Sequence, residues 1–204
     1  MSNKVDEITR RTYRYYYEDG LVEMAIGGLF TLLGLGLWIF DRALSGSSLG
    51  WLLGLGLPAV IIAGVFGVKW AILALKQQVT YPRTGAVTYK DQPTMGRWWF
   101  VAVLAVFVFI SFFLPESFNT AAVMAGFLLA LILFYMGTRV SLFRMQAAAI
   151  LPLAAGIFSG YAGLGELMGN VVVFGLTGLE LFLLGAFALT RYLRENPPGG
   201  EESE

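Results

Sequence analysis

Long apolar runs alternate with short polar connections from Leu21 to Thr190. A hydrocarbon core of about 30 Å requires about 20 residues of α-helix, and the successive runs approach or exceed that length. The pattern therefore predicts an all-α membrane protein with six transmembrane helices. The predicted spans cover residues 21–40, 49–75, 98–114, 120–137, 145–163 and 168–190.

Polar segments at both ends complete the predicted division of the chain. Residues 1–20 carry basic residues and a cluster of tyrosines, which predicts an interfacial amphipathic arm with Tyr at headgroup depth; a partner-binding arm is the alternative. Residues 21–190 form the six-span domain. Residues 191–204 contain Asn-Pro-Pro-Gly-Gly followed by three glutamates, which predicts a disordered acidic tail.

The longest polar interruption, Lys76–Arg97, separates spans 2 and 3. Val79–Tyr81 and Val87–Tyr89 are short β-prone runs, and the intervening Pro and Gly are turn residues. This pattern predicts a short interfacial β-hairpin. It would be either a structured connector or a docking or gating element, and the candidate docking residues are Tyr81, Pro82, Arg83, Gly85 and Tyr89.

The distribution of cations predicts the orientation, because cytoplasmic connections of membrane proteins are rich in Lys and Arg. The six-span map places only Arg42 on the outer side. The inner side holds Lys4, Arg10, Arg11, Arg14, Lys76, Arg83, Lys90, Arg97, Arg139, Arg144, Arg191 and Arg194. We therefore expect a multi-pass protein of the cell membrane, with both termini and the 76–97 loop cytoplasmic.

The composition supports a lipid environment and excludes several chemistries. Hydrophobic residues make up 57% of the chain and charged residues 14%, against about 25% charged in soluble domains. The net charge of zero gives no argument for nucleic acid as a partner. There is no Cys and no His, so disulfides, thiolate chemistry and His-ligated metals are excluded. We expect no cofactor and no metal.

Glu180 is the strongest candidate for an intramembrane functional residue. It lies near the middle of span 6, eleven residues before Arg191, or about 16 Å along a helix. Carboxylates at such depth are costly and usually face the interior of the bundle. Glu180 would either donate a hydrogen bond that holds neighbouring helices together or handle protons or ions, and Glu180→Gln would separate these roles.

Glycines and prolines give further predictions within the spans. The sequence LLGLGL occurs at Leu32–Leu37 and Leu52–Leu57, which predicts a tight hairpin of spans 1 and 2 because small residues let helices approach closely. Pro58 and Pro152 lie at matching depths in spans 2 and 5. Interrupted helices at corresponding positions are typical of transporter binding sites, although proline is also common in membrane helices.

Two further charged residues lie within the spans near the predicted cytoplasmic side. Glu23 is in the first turn of span 1, and Lys69 is about two turns inside span 2. Their similar depths predict a structural Glu23–Lys69 ion pair. The alternative is that Lys69 extends along the helix to reach the surface.

Two stretches resemble a known group of proteins. RTYRYYYEDGLVEMAIGG at residues 11–28 and VTYPRTGAVTY at residues 79–89 resemble uncharacterised prokaryotic multi-pass membrane proteins that carry a YPRTG-type loop. The resemblance implies a prokaryotic cytoplasmic-membrane protein. It brings no activity and no catalytic residue.

The sequence leaves three classes of function open. The first is a non-enzymatic membrane subunit or interaction protein that presents the arm and the loop to another membrane protein or to a second copy of the chain. The second is a small-solute or proton- or ion-coupled carrier or channel working around Glu180, Pro58 and Pro152. The third is an enzyme, which is disfavoured because the chain lacks phosphate-loop, dinucleotide and nucleophile-elbow motifs.

Overall fold

The computed structural model describes residues 16–44, 63–84 and 119–197. These three ranges are helical apart from turns, and they contain no β-strand. Helix α1 covers Leu21–Ile39 and continues as a π-helix, Phe40–Leu44. Helix α2 comprises α-helical residues 63–75, π-helical Lys76–Thr80 and a final α-helical turn, Tyr81–Thr84. The remaining helices are α3 (Thr120–Val140), α4 (Phe143–Ala148), α5 (Ile150–Tyr161) and α6 (Glu166–Glu195).

Four of the described stretches are long and apolar enough to cross a membrane: Leu21–Arg42, Thr120–Val140, Phe143–Tyr161 and Glu166–Glu195. They correspond to predicted spans 1, 4, 5 and 6. Predicted span 3 and residues 49–62 of span 2 lie outside the described residues. Large apolar side chains such as Trp70, Phe143 and Phe187 are more than 70% exposed. That exposure fits a hydrocarbon environment and would be unfavourable in water.

Helices α1 and α6 pack against each other along lines of glycine. A Cβ at Gly27 would lie 2.7 Å from the Gly178 carbonyl oxygen, and one at Gly34 would lie 2.9 Å from the Gly175 Cα. Gly20 abuts Gly185, so residue numbers rise along α1 as they fall along α6. The two helices are therefore antiparallel with their backbones in direct contact, as small residues permit in membranes.

Of the two glycine motifs predicted to form a tight hairpin of spans 1 and 2, the first packs its Gly34 against α6. Within Leu32–Leu37, Gly34 faces Gly175 of α6, whereas a Cβ added at Gly36 would meet no neighbouring atom within 4 Å. Leu52–Leu57 lies outside the described residues. The physical reason is that α6 offers glycines in register with Gly20, Gly27 and Gly34, which recur every seven residues on one face of α1.

Helices α3, α5 and α6 form the second layer of the bundle. Val173 of α6 packs with Ala122, Leu129 and Ala155, and Gly126 of α3 lies against the Pro152 carbonyl and Gly156 of α5. The start of α3 is fixed by its neighbours. The Asn119 side chain accepts a hydrogen bond from the Ala122 nitrogen at 3.1 Å and donates to the carbonyl oxygens of Leu164 and Gly165 at 3.2 Å each.

These contacts define two ends of the bundle. The arm end contains Tyr16–Gly20, the start of α1 and the ends of α3 and α6, because Gly20 contacts Ala188 and Tyr17 packs near Val140. The far end contains the starts of α3 and α6 and the end of α5. Helix α6 continues through Glu195, five residues beyond the predicted end of span 6 at Thr190. It stops just before Asn196-Pro197, as expected because a residue preceding proline disfavours α-helical geometry.

The predicted β-hairpin is wrong in its first strand. Val79, Thr80 and Tyr81 continue α2 instead of forming a strand, and Val87–Tyr89 lies outside the described residues. The sequence favoured a strand because Val and Thr are β-branched, but that preference is worth less than about 1 kcal/mol per residue. Helical geometry places Lys76 and Thr80 one turn apart on one face, where both side chains bind Asp19.

Candidate functional site

A buried ion pair connects the start of α1 to α2. Lys76 Nζ donates hydrogen bonds to Asp19 Oδ2 at 2.5 Å and to the Tyr16 carbonyl oxygen at 2.6 Å. Thr80 Oγ1 donates to the same Asp19 oxygen at 2.9 Å. The side chains of Asp19 and Lys76 are 0% and 1% exposed. We call Tyr16, Asp19, Lys76 and Thr80 the Asp19 cluster; it satisfies a buried charge pair with further hydrogen bonds, as such pairs require.

The local backbone explains why a cation binds at this position. Helical residues 16–18 are followed by a turn in which Gly20 adopts a left-handed conformation, with φ 72°. Glycine tolerates that conformation readily. The carbonyl groups at the end of a helix lack intrahelical donors and attract cations. Asp19 lies in the turn before α1, and its Oδ1 accepts a hydrogen bond from the Leu21 nitrogen at 3.2 Å.

The Tyr16 ring completes the surroundings of the lysine. Lys76 Nζ lies 4.1 Å from the centroid of this ring, a distance at which a cation is attracted to an aromatic face. Burial raises the pKa of the Tyr16 phenol, and the nearby Tyr17, Tyr81 and Asp19 act in the same direction. The phenol is therefore neutral at physiological pH.

A second buried pair connects α1 to α4. Arg144 donates to Glu23 Oε1 from Nε at 2.9 Å and from Nη2 at 2.6 Å, and Nη2 also donates to the Tyr17 carbonyl oxygen. Glu23 is 2% exposed and the Arg144 side chain is 26% exposed. Glu23 Oε2 is buried without a hydrogen-bond partner. We call Tyr17, Glu23 and Arg144 the Glu23 cluster.

The predicted Glu23–Lys69 ion pair is wrong. Glu23 binds Arg144, and Lys69 is exposed on α2. Arg144 follows the α3–α4 turn, where Val140, Leu142 and Met145 pack near Tyr17. That packing brings the planar Arg144 guanidinium to Glu23, to which it donates two hydrogen bonds.

Glu180 occupies the boundary between the packed and exposed faces of α6. Thr177 and Leu181, on one side of it, are 0% and 1% exposed. Leu183 and Phe187, on the other side, are 58% and 72% exposed. Glu180 itself is partly buried, and its Oε2 is enclosed without a hydrogen-bond partner. The Thr177 hydroxyl one turn earlier is also enclosed and without a partner.

The helix that contains Pro152 is interrupted. Helix α4 ends at Ala148, and α5 begins at Ile150. Proline has no N–H and clashes with the carbonyl four residues earlier, so Pro152 cannot donate to the Ala148 carbonyl oxygen. Pro152 is buried. Leu181 of α6 belongs to the same buried cluster as Ala148 and Ala149, so the helix that contains Glu180 neighbours the chain at this interruption.

The other predicted site residues are dispersed or lie outside the described residues. Pro58, Gly85 and Tyr89 belong to the undescribed ranges. Tyr81 is partly buried and Pro82 is exposed at the end of α2, where the backbone of Arg83 is helical.

An apolar groove runs between α3 and the α4–α5 pair. Its volume is about 450 Å³. The lining includes Phe127, Leu131 and Phe134 from α3, and Phe143, Gln146, Ile150 and Leu153 from α4 and α5. Among the residues that the structure describes, no group of three or more acidic, His or Cys side chains could hold a metal ion.

Sequence reasoning missed the two clusters at the arm end. It used Lys76 and Arg144 only as markers of orientation, and it assigned Asp19 to the polar arm. The available signal was the sequence Asp19-Gly20 immediately before an apolar helix, because glycine favours a helix end and aspartate favours a helix start. The acceptors for both cations are backbone carbonyls and carboxylates brought together by tertiary folding, which no local pattern reveals.

The fold and the buried clusters fit a helical membrane protein whose N-terminal segment is held by two internal ion pairs. No protein-family model, curated protein or solved structure matches the chain.

Proposed function

We propose that this protein is a non-enzymatic membrane subunit or interaction protein that presents its N-terminal arm and its 76–97 connection to a partner. The partner is another membrane protein or a second copy of the chain. The protein lies in the cell membrane as a six-span bundle with its arm end in the cytoplasm. The YPRTG sequence at residues 81–85 is the centre of the presented surface.

The observation that supports this proposal is the linkage of two peripheral segments to the same end of the bundle. The Asp19 cluster connects the last residues of the arm to α2, which leads into the 76–97 connection. The Glu23 cluster connects the same junction to α4. Buried ion pairs often add little stability over apolar packing. Their contribution here is to fix the position of both segments, which lowers the entropy lost when a partner binds.

The charge distribution supports the proposed orientation. Lys76 and Arg144 bind residues of the arm junction, and Arg191 follows the part of α6 that contacts Gly20. Arg42 follows α1 at the far end. Cations on the described helices therefore gather at the arm end, as expected if that end is cytoplasmic.

Site-specific photocrosslinking in cells tests the proposal. A photoreactive residue in place of exposed Pro82 should give one discrete adduct, and the same substitution at exposed Ala162 of the far end is the control. The adduct should weaken in a Lys76→Met variant, which releases α2 from the arm junction. The mass of the adduct distinguishes a second 22.3 kDa chain from a different protein. Absence of an adduct at Pro82, or the same adduct at Ala162, would refute the proposal.

A further inference from the structure

Two side-chain oxygen atoms on α6 lack the hydrogen bonds that buried polar groups normally make. Glu180 Oε2 and Thr177 Oγ1 are enclosed without partners, and Thr177 is 0% exposed. The Ala148 carbonyl lacks its usual helical donor because Pro152 has no N–H. An unpaired polar group in hydrocarbon is costly, so the two unpartnered oxygens, one turn apart on α6, require an explanation.

The register of α5 against α6 places these groups at the same depth. Ser159 Oγ donates to the Gly169 carbonyl oxygen at 3.4 Å. Further along, Val173 and Ala155 belong to one buried cluster, and Leu181 and Ala148 belong to another. Because the α4–α5 stretch is antiparallel to α6, moving about four residues forward along α6 corresponds to moving about four residues back along α5 and α4.

Thr177 therefore lies level with Pro152, and Glu180 lies level with Ala148, where the helix is interrupted. Thr177 and Glu180 are three residues apart, so they project from adjacent positions on α6.

We propose that Glu180, Thr177 and the Ala148 carbonyl form a binding site for a small monovalent cation, with Na⁺ as its ligand. A carboxylate, a hydroxyl and a carbonyl are oxygen donors, which hard cations prefer. The single negative charge of Glu180 balances a monovalent ion. Carbonyls freed at the interruption of a membrane helix are well suited to coordinate Na⁺, and water molecules complete the coordination shell.

The proposed site uses none of the residues of the Asp19 and Glu23 clusters, so it does not depend on the proposed function of the arm end. It does not require transport, since a bound ion can hold α5 and α6 together without crossing the membrane. If flux accompanied binding, Glu180 would instead belong to an ion-coupled carrier.

Thermal unfolding of the full chain in detergent tests the site at constant ionic strength, with sodium chloride, potassium chloride or choline chloride as the only salt. Sodium should raise the Tm of the wild-type protein by about 5–10 °C at saturation, and the shift should saturate with concentration. Glu180→Gln should abolish the sodium-specific shift, and Thr177→Val should reduce it. Thr190→Val is the matched control, because its hydroxyl is exposed and bonds the Ala186 carbonyl on the same helix.

Two results would overturn the proposal. One is a wild-type Tm that is equal in all three salts, which needs no variant and does not depend on variant folding. The other is a sodium shift that persists undiminished in Glu180→Gln. Equilibrium dialysis with radioactive sodium provides an independent readout, in which the wild type and Thr190→Val should bind about one ion per chain and Glu180→Gln none.

Discussion

At the scale of single residues, Lys76 connects several groups at the arm end. Its ammonium group contacts a carboxylate, a backbone carbonyl and an aromatic ring while it is 1% exposed. Removal of one member of a buried ion pair leaves the other charge without compensation, which costs about 3–5 kcal/mol. Lys69, two turns earlier on the same helix, is exposed and provides a natural comparison.

We expect Lys76→Met to lower the free energy of unfolding by about 3–5 kcal/mol, measured by denaturant titration in mixed micelles. Lys69→Met should change it by less than about 0.5 kcal/mol. The Asp19→Leu/Lys76→Met double variant should recover part of the loss, because it leaves no unpaired charge. Equal effects of the two lysine substitutions would contradict the assigned ion pair.

At the scale of helices, the α1–α6 contact depends on the absence of side chains. Gly27 and Gly178 bring the two backbones together, since a Cβ at Gly178 would lie 2.7 Å from Thr31 Oγ1 and 2.8 Å from the Gly27 carbonyl oxygen. Gly36 lies on α1, as Gly27 does, but a Cβ added there would meet no neighbouring atom within 4 Å. One helix thus contains a glycine required for packing and one that is not.

Gly27→Ala should therefore destabilise the protein by about 1–3 kcal/mol through overpacking. Gly36→Ala should be neutral or stabilise it by up to about 1 kcal/mol, because alanine favours helix more than glycine does. The same micellar unfolding measurement compares them. A Gly27→Ala variant as stable as Gly36→Ala would show that α1 and α6 do not meet at this point.

At the scale of the whole molecule, the antiparallel α1–α6 pair places Gly20 beside Gly185. If α1 and α6 span the bilayer, the segments at the arm end must face one compartment. The native chain contains no cysteine, so single cysteines report accessibility without background. Pro82 and Glu195 are exposed near the arm end, and Ala162 is exposed at the far end.

Single cysteines at Pro82 and Glu195 should react with an impermeant thiol reagent only after the cytoplasmic side is opened. A cysteine at Ala162 should react in intact cells. Labelling of Pro82→Cys and Ala162→Cys from the same side of the membrane would refute the proposed topology, whatever the labelling of Glu195→Cys.

Much of the helical architecture could be predicted because hydrophobic length is a local property. The starts of α1 and α3 agree with predicted spans 1 and 4 at Leu21 and Thr120. The partners of the charged residues could not be predicted in the same way. Arg144 is 121 residues from Glu23, and only the packing of α3 and α4 against the arm junction brings these side chains together.

The proposed site around Glu180 was also only partly predictable from the sequence. Depth along span 6 and the scarcity of intramembrane charge singled out Glu180, and the interruption near Pro152 followed from proline chemistry. Thr177 was not distinguished from other hydroxyl residues, because its significance depends on complete enclosure. The first strand of the predicted hairpin was wrong because a distant carboxylate, Asp19, stabilises helical spacing of Lys76 and Thr80.

The pairing of α1 with α6 has a consequence for biogenesis. Helix α1 packs closely against α6, and more than 150 residues separate Gly20 from Gly185. At about 5–20 residues per second, the ribosome delivers that partner several seconds or more after α1 has emerged. Until then the glycine face of α1 must be shielded by lipid or by the insertion machinery, so α1 and α6 pair only after residue 185 has been synthesised.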